Sequence, residues 1–489
     1  MTAALAHRTS PATDPAPSLA EIRRTAKAPL LGLARLLADS DEARRDRLLL
    51  AGPTVAAVAR GLLDRALTVP GSTDEALPPS AGSFAVSVPD KALLRRMARA
   101  ATWNPPWRWP SAMLAPRTVA VSHNSLLNVA VKERPGAKGF IHAESVIAEA
   151  RAAAGTRSKD RRLHDDALAL CEAMMAATPL GDAQREQVVA TLLPVAETAL
   201  EAAASDLASL PRHLPHARSL WSATGGKYAA RAVGLAAMRA GREVVRFDHV
   251  GTGALVADRL GLDLTERAVS TEVVVATQGL AAAAEENPSD LALPLGRLNA
   301  SGGDPEFRFP LSVRPRASRP RVVYATTLLR GLRQYHDGLL TDAVYLNWQV
   351  EVATALAKLP IDLIVKPHPA TVYPGGINPL EAVAPVAKGP FEALMAEADL
   401  YVFDYGQTTT FWKGLATAQP VVYLDLGMTD FLPGVRDALA ERAAIVPVAY
   451  DDLSGVPVLS DNDLRAAIDS APTAGGGNHF RRLLGGEPA

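Results

Sequence analysis

Residues 398–425 read ADLYVFDYGQTTTFWKGLATAQPVVYLD. An apolar run from Asp399 to Tyr405, a helical stretch through Trp412 and a second apolar run from Pro420 to Asp425 follow one another closely. Strands this short, joined through a helix, pair in parallel, which is the repeating unit of a doubly wound sheet. The same rhythm runs upstream: RVVYATT at Arg321, a helix from about Asp342 to Leu359, DLIVK at Asp362 and a helix near Phe391. The pattern predicts a Rossmann-like α/β domain over residues 311–489.

Two stretches rich in proline and glycine, Thr68–Ser83 and Ser301–Pro320, divide the chain. Residues 1–82 carry Leu, Ile and Ala at helical spacing and are expected to form a helical N-terminal segment. Residues 83–310 interleave apolar strands (SFAVSV at Ser83, RTVAVSH at Arg117, EVVRFDH at Glu243, EVVVAT at Glu272) with alanine-rich helices between Ala143 and Ser205. A second parallel sheet is expected there, and two Rossmann-like domains facing a cleft across an exposed, proline-rich linker are the simplest architecture.

Composition narrows the function. The chain has 489 residues, more than one hydrophobic core usually organises. Its 51 basic and 52 acidic side chains leave a net charge of −1, which removes the electrostatic case for nucleic acid. Mean hydropathy lies near zero, and neither a signal-like start nor an uninterrupted apolar run of membrane-spanning length is visible, so a cytoplasmic protein is expected. The single cysteine, Cys171, cannot form an internal disulfide and reads as a buried small hydrophobe. GTGALV at Gly251 lacks the third glycine of a dinucleotide fingerprint, and TGGKY lacks the flanking residues of a P-loop. Asp461-Asn462-Asp463 reads as capping after Ser460 rather than as a metal site.

In open α/β sheets ligands gather beyond the carboxyl ends of the strands. After DLIV stand Lys366, Pro367, His368 and Pro369; after DLYVF stand Asp404, Gln407, Thr408, Thr409 and Thr410. Threonines at a helix start offer hydroxyls and unpaired N–H groups to an anion, although they are also common caps. His123 and Asn124 follow the Arg117 strand, while Asp248 and His249 follow the Glu243 strand. Trp103, Trp107 and Trp109 crowd a proline-rich loop, where they could stack on a sugar or pack against the helical segment.

KPHP, followed a few tens of residues on by the stretch quoted at the outset, resembles the donor-binding domain of GT-B fold glycosyltransferases that make bacterial surface polysaccharides. It is similar to the HP motif and paired Ser/Thr motif of sialyltransferases and capsular Kdo transferases, which use CMP-sugars, and to the DYSS stretch of CDP-glycerol glycerophosphotransferases. Thr408 and Thr409 stand where those families have serines. SLWSATGGKYAARAVGLAAMRAGREVVRFDHVGTGALV, from Ser219, resembles their acceptor-side segment, with the His-Gly pair interrupted as His249-Val250-Gly251.

The resemblance implies transfer of a sugar or polyol phosphate from a CMP- or CDP-linked donor to a glycan or lipid-linked acceptor, as in capsule polysaccharide biosynthesis. It implies donor phosphate on Thr408–Thr410 with the His368-Pro369 pair and Lys366, and Asp404 or Gln407 orienting the loop or touching ribose. His249 would serve as general base, with Asp248 its nearest rival, and His123 and Asn124 would line the acceptor side. Neither a metal nor a further cofactor is expected. Work at the inner face of the membrane would follow from a lipid-linked acceptor. A nucleotide-sugar epimerase of the same fold, or a noncatalytic nucleotide-binding relative, are the alternatives.

Overall fold

The computed structural model describes residues 19–68, 88, 92–154, 161–223, 225–249, 252–287, 289, 291–309, 318–329, 340, 342–369, 371, 373, 376–451, 454–474 and 478–486. It contains two all-parallel sheets flanked by helices. The first comprises β1 (Thr118–Ala120), β2 (Lys138–Phe140), β3 (Ser219–Ser222), β4 (Glu243–Phe247), β5 (Glu272–Val275) and β6 (Arg297–Ala300), in the spatial order β2-β1-β3-β4-β5-β6. The second comprises β7 (Arg321–Ala325), β8 (Asp362–Lys366), β9 (Leu400–Phe403), β10 (Val421–Asp425) and β11 (Ala444–Pro447), in the order β11-β10-β9-β7-β8. Winding reverses once in each sheet, between β1 and β3 and between β7 and β9. The doubly wound α/β class expected from the sequence is the class observed.

Strand periodicity builds the second sheet's two layers. Val322, Tyr324, Val402, Val422 and Leu424 pack with Trp348, Val352 and Leu356 of the helix Asp342–Ala357. Their alternates Val323, Tyr401, Phe403, Val421 and Tyr423 pack on the other face with Phe411, Trp412 and Leu415 of the helix Thr409–Ala416. Because successive side chains point to opposite faces and both faces are covered, the strands read as continuous apolar runs.

The first sheet is covered more deeply. The helix Tyr228–Arg239, apolar nearly all round, lies between the sheet and a further helical layer. That layer consists of Leu19–Ala38, Glu42–Thr68, Arg161–Met175 and Asp182–Ser209, so the N-terminal helices share one core with Leu220 and Val244 of the sheet. Cys171 is buried within it. Asp182–Ser209, continued by a short 3-10 turn, is by length and composition capable of crossing a bilayer. Here it packs against Glu42–Thr68 and Arg161–Met175. Its fully buried Asp206 accepts hydrogen bonds from Arg151 (2.6 Å) and Tyr228 (2.8 Å), as expected of a core helix.

Other expectations fare differently. Of the strand expected at Ser83, residues 83–87 lie outside the described residues and Val88 is in no strand. β2, β3, β6 and β11 went unread; β2 and β6 are short and carry polar side chains (KGF, RLNA) that mask any apolar pattern. Residues 310–317 of the expected linker also lie outside the described residues. Its first half is not an exposed tether: Phe307 is buried, Asp304 N donates to Leu484 O (2.9 Å), and Lys413 Nζ bonds Glu306 (2.8 Å).

The last helix, His479–Gly485, rivets the two halves together. Thr277 Oγ1 donates to its Leu483 carbonyl (2.5 Å), and the Asn478 amide ahead of it donates to the Leu415 (2.7 Å) and Thr417 (2.8 Å) carbonyls. The chain leaves β6 through Gly303, whose φ of 118° disfavours side chains and whose added Cβ would stand 2.0 Å from the Gly485 oxygen. Gly303→Ala is therefore expected to cost more than about 2 kcal/mol and to loosen the last helix. Chemical denaturation that finds the variant within about 0.5 kcal/mol of wild type would contradict this packing.

Candidate functional site

The carboxyl edges of the two sheets face each other, and backbone atoms hold them. Residues 255–257, beyond β4, pair with residues 430–432, beyond β10: Ala257 N donates to Asp430 O (2.8 Å) and Leu432 N to Leu255 O (3.1 Å) around an antiparallel Val256–Phe431 bridge. Lys27 spans Asp258 (3.7 Å) and Asp430 (3.5 Å) above this clasp. Phe431 reaches the loop after β9 as well, because a Cβ on Gly406 would stand 2.4 Å from its ring. A side chain at that position would have to displace the Phe431 ring.

On the second sheet, Asp404 is wholly buried. Its carboxylate accepts hydrogen bonds from Tyr324 (2.6 Å) and Tyr345 (2.8 Å). Burial pushes its pKa up to about 6, with the two hydroxyls acting in the opposite direction. Of the two roles open to it in the sequence, the geometry fits anchoring of the loop rather than contact with a ribose. Thr408 caps the helix Thr409–Ala416: its Oγ1 accepts from Phe411 N (3.2 Å) and lies 3.0 Å from Thr410 Oγ1. Gln407, Thr409 and Thr410 are half-buried at the helix start, where first-turn N–H groups have no intrahelical acceptor.

Beyond β8, His368 is half-buried and its carbonyl accepts from Thr371 N (3.0 Å), while Pro369 is exposed. Lys366 turns back on its own chain, with Nζ 2.8 Å from Pro367 O; burial lowers its pKa, against the opposing charge of Glu392. β7 lies between β8 and β9, so the loops carrying His368 and Thr408 leave strands about 10 Å apart, and Thr326 follows the strand between them. Thr326 was not foreseen from the sequence. Its hydroxyl is buried at this switch point without a hydrogen-bond partner among the described residues.

Lys413, also unforeseen, is buried one turn along the helix. Burial would lower its pKa, but Glu306 and Glu392 bind its ammonium and hold the pKa above the ordinary value. It therefore ties the segment following the first sheet to the second.

The first sheet's edge is organised differently. Asn124 caps the helix Ser125–Glu133, and its side-chain amide donates to the carbonyls of Phe247 (3.0 Å) and Asp248 (2.9 Å). It thereby positions the loop that carries His249. His249 is exposed, whereas Asp248 is half-buried beside a cavity of about 20 Å³ lined by Arg246, Arg259 and Glu266. His123 accepts from Arg99 at Nε2 (2.7 Å); partial burial, then Arg99 and His142, lower its pKa, in keeping with a neutral ring. The glycine-rich turn after β3 already carries an anion, because Gly225 N–H donates to both carboxylate oxygens of Glu266 at 2.6 Å.

No protein-family model matches the chain, and no curated protein matches it. Among solved structures it is similar to one described as the glycotransferase of kitacinnamycin, with 14% identity over 72% of this chain and 90% of that one and a TM-score of 0.33.

The Asp404 carboxyl yields a pH test. Its folded pKa of about 6 exceeds the ordinary 3.8, so its contribution to stability is fully present below the lower value and is lost as pH rises through the upper. Relative to Asp404→Asn, the wild-type melting temperature is expected to fall between about pH 4 and pH 6. Parallel curves for the two proteins would contradict a perturbed carboxyl at this position.

Proposed function

We propose that this chain is a glycosyltransferase that takes a sugar from a CMP- or CDP-linked donor held at the carboxyl edge of the second sheet and passes it to a hydroxyl presented at the first. One contrast carries the proposal. Two carboxyl edges meet at one clasp, and the turn after β3 is filled by the protein's own Glu266, whereas no carboxylate among the described residues bonds the N–H groups of Thr409 and Thr410 at the start of the helix Thr409–Ala416. Donor phosphate therefore belongs on the second sheet, where helix dipole and hydroxyls favour it.

In this mechanism the acceptor oxygen attacks the anomeric carbon. His249 accepts the hydroxyl proton, the bond from the anomeric carbon to the phosphate oxygen breaks, and the electron pair leaves on the nucleotide. Charge developing on that phosphate is met by the N–H groups of Thr409 and Thr410 and by His368. Asp404 holds the loop from below, and Asn124 holds the loop of His249. His249 is a better base than Asp248 because it is the more open of the two to an incoming hydroxyl. The protein is proposed to act in the cytoplasm, without a metal or further cofactor.

CMP or CDP should raise the melting temperature, because a ligand present at about a hundredfold its Kd and binding only the native state adds about 2.7 kcal/mol. His368→Ala should weaken that stabilisation and leave the unliganded protein unchanged. Equal stabilisation of the two proteins would remove His368 from the site, and stabilisation by UDP alone would overturn the cytidine assignment. His249→Ala should lower transfer at least about a hundredfold with nucleotide affinity kept. Loss in Asp248→Asn with near-normal turnover in His249→Ala would move the base to Asp248.

A further inference from the structure

β2, β1 and β3 are neighbours in the first sheet, and a basic or imidazole side chain follows each of them: His142 after β2, His123 after β1 and Lys227 after β3. Arg95 and Arg99, one turn apart on the helix Ala92–Trp103, come to the same edge. Phe140 is the common floor. Its ring centre lies 4.8 Å from that of His142, 5.9 Å from that of His123 and 5.7 Å from that of Trp103. Arg99 stands over the Trp103 ring at 5.6 Å and donates to His123 Nε2 at 2.7 Å. Of the three tryptophans that could stack or pack, Trp103 packs here, while Trp107 is exposed.

The cluster holds more positive charge than its own carboxylates balance. Among the described residues Glu144 is the one carboxylate that acts on either imidazole, and it is shared with Lys227 at 4.0 Å. Three permanent cations, Arg95, Arg99 and Lys227, thus face one anion. Burial, then Arg99, His142 and Arg95, lower the pKa of His123; burial, Arg95 and Lys227 lower that of His142 against the pull of Glu144. His142 Nε2 is buried without a hydrogen-bond partner among the described residues. Arg95, His123 and Lys227 are exposed, so a ligand can reach the cluster from solvent. Like charges brought together on four separate elements repel one another, and an incoming anion relieves that repulsion.

We propose that this cluster is a binding subsite for an oxyanion, a phosphate or carboxylate group carried by the acceptor. Arg95 and Lys227 meet the anion with fixed charge, while the two imidazoles take up protons from solvent and donate to it. Arg99 can donate to His123 Nε2 only while that nitrogen is unprotonated, so it turns to the anion as well. β2 and β4 lie three strand spacings apart, so the loops carrying His142 and His249 leave strands about 14 Å apart. The oxyanion is therefore a recognition group remote from the reacting hydroxyl. Its assignment to the acceptor rests on the function proposed above; its binding rests on the cluster alone.

The test uses the full-length protein and sulfate, whose charge is constant between about pH 6 and pH 8, titrated by calorimetry at constant ionic strength. Wild type should bind sulfate at least about threefold more tightly at pH 6 than at pH 8, with protons taken up from the buffer. Arg95→Gln/Lys227→Gln should weaken binding at least about tenfold without lowering the melting temperature, and Arg95→Lys/Lys227→Arg, which keeps both charges, should retain it. His123→Gln/His142→Gln should flatten the pH profile. Inorganic phosphate and methyl glucuronide distinguish the two sources, according to which displaces sulfate at the lower concentration. Absence of sulfate binding by wild type, or equal binding by Arg95→Gln/Lys227→Gln, overturns the proposal. Loss of sulfate binding in His368→Ala, with binding kept in Arg95→Gln/Lys227→Gln, would place the anion at the second sheet instead. Should no nucleotide bind while sulfate still requires Arg95 and Lys227, the donor reading falls and the oxyanion subsite stands.

Discussion

The organisation of this molecule depends on a two-bond clasp. Residues 255–257 and 430–432 share a short antiparallel ladder, and because each segment lies beyond the carboxyl end of its own strand, the ladder fixes which edges of the two sheets meet. Two backbone hydrogen bonds contribute only about 1 kcal/mol each. Their larger effect is geometric, since Phe431 within the clasp also backs the Gly406 turn, so docking of the halves and the shape of the loop after β9 are one constraint. The His479–Gly485 helix and the Lys413–Glu306 pair reinforce the same docking from the other side.

The loop after β9 is fixed by a feature hidden beneath it. Asp404, Tyr324 and Tyr345 form a buried polar group that fixes the end of β9 before the chain enters the Thr409–Ala416 helix. A carboxylate bonded to two hydroxyls in a dry site costs less than an unpaired one, and it is intolerant of any change that leaves either partner unmatched. The threonine-rich helix start is thus held from below, with Gln407–Thr410 half-buried. In the first sheet the corresponding turn has its N–H group taken by Glu266. The two edges, alike in topology, are consequently unlike in chemistry.

Much of the fold was legible because parallel strands buried on both faces are continuous apolar runs: VVYA, LIVK, LYVF and VVYL all lie in observed strands. Strands of three or four residues with polar side chains carried too little signal, and β2 and β6 are of that kind. Capping was readable, as Ser460 shows by accepting from Asp463 N (3.3 Å). Partners distant in sequence were not. Nothing local marks Asp404 as bound by tyrosines 80 and 59 residues away, or Asn124 as holding carbonyls more than 120 residues away. The proline-rich stretch after β6 misled for the same reason: its composition reads as a tether, while its contacts are made with the last helix of the chain.

The central claim is that a nucleotide binds at the second sheet's switch point rather than at another opening, such as the cavity of about 510 Å³ between Thr277–Gly279 and His479–Leu483. Hydrogen exchange followed by mass spectrometry, with and without CMP or CDP, tests this by location. Protection concentrated in peptides covering 404–411 and 366–371, with 277–286 and 222–228 unchanged, is the result expected. Protection confined to 222–228 or to 277–286, or no protection with any nucleotide, would contradict the account.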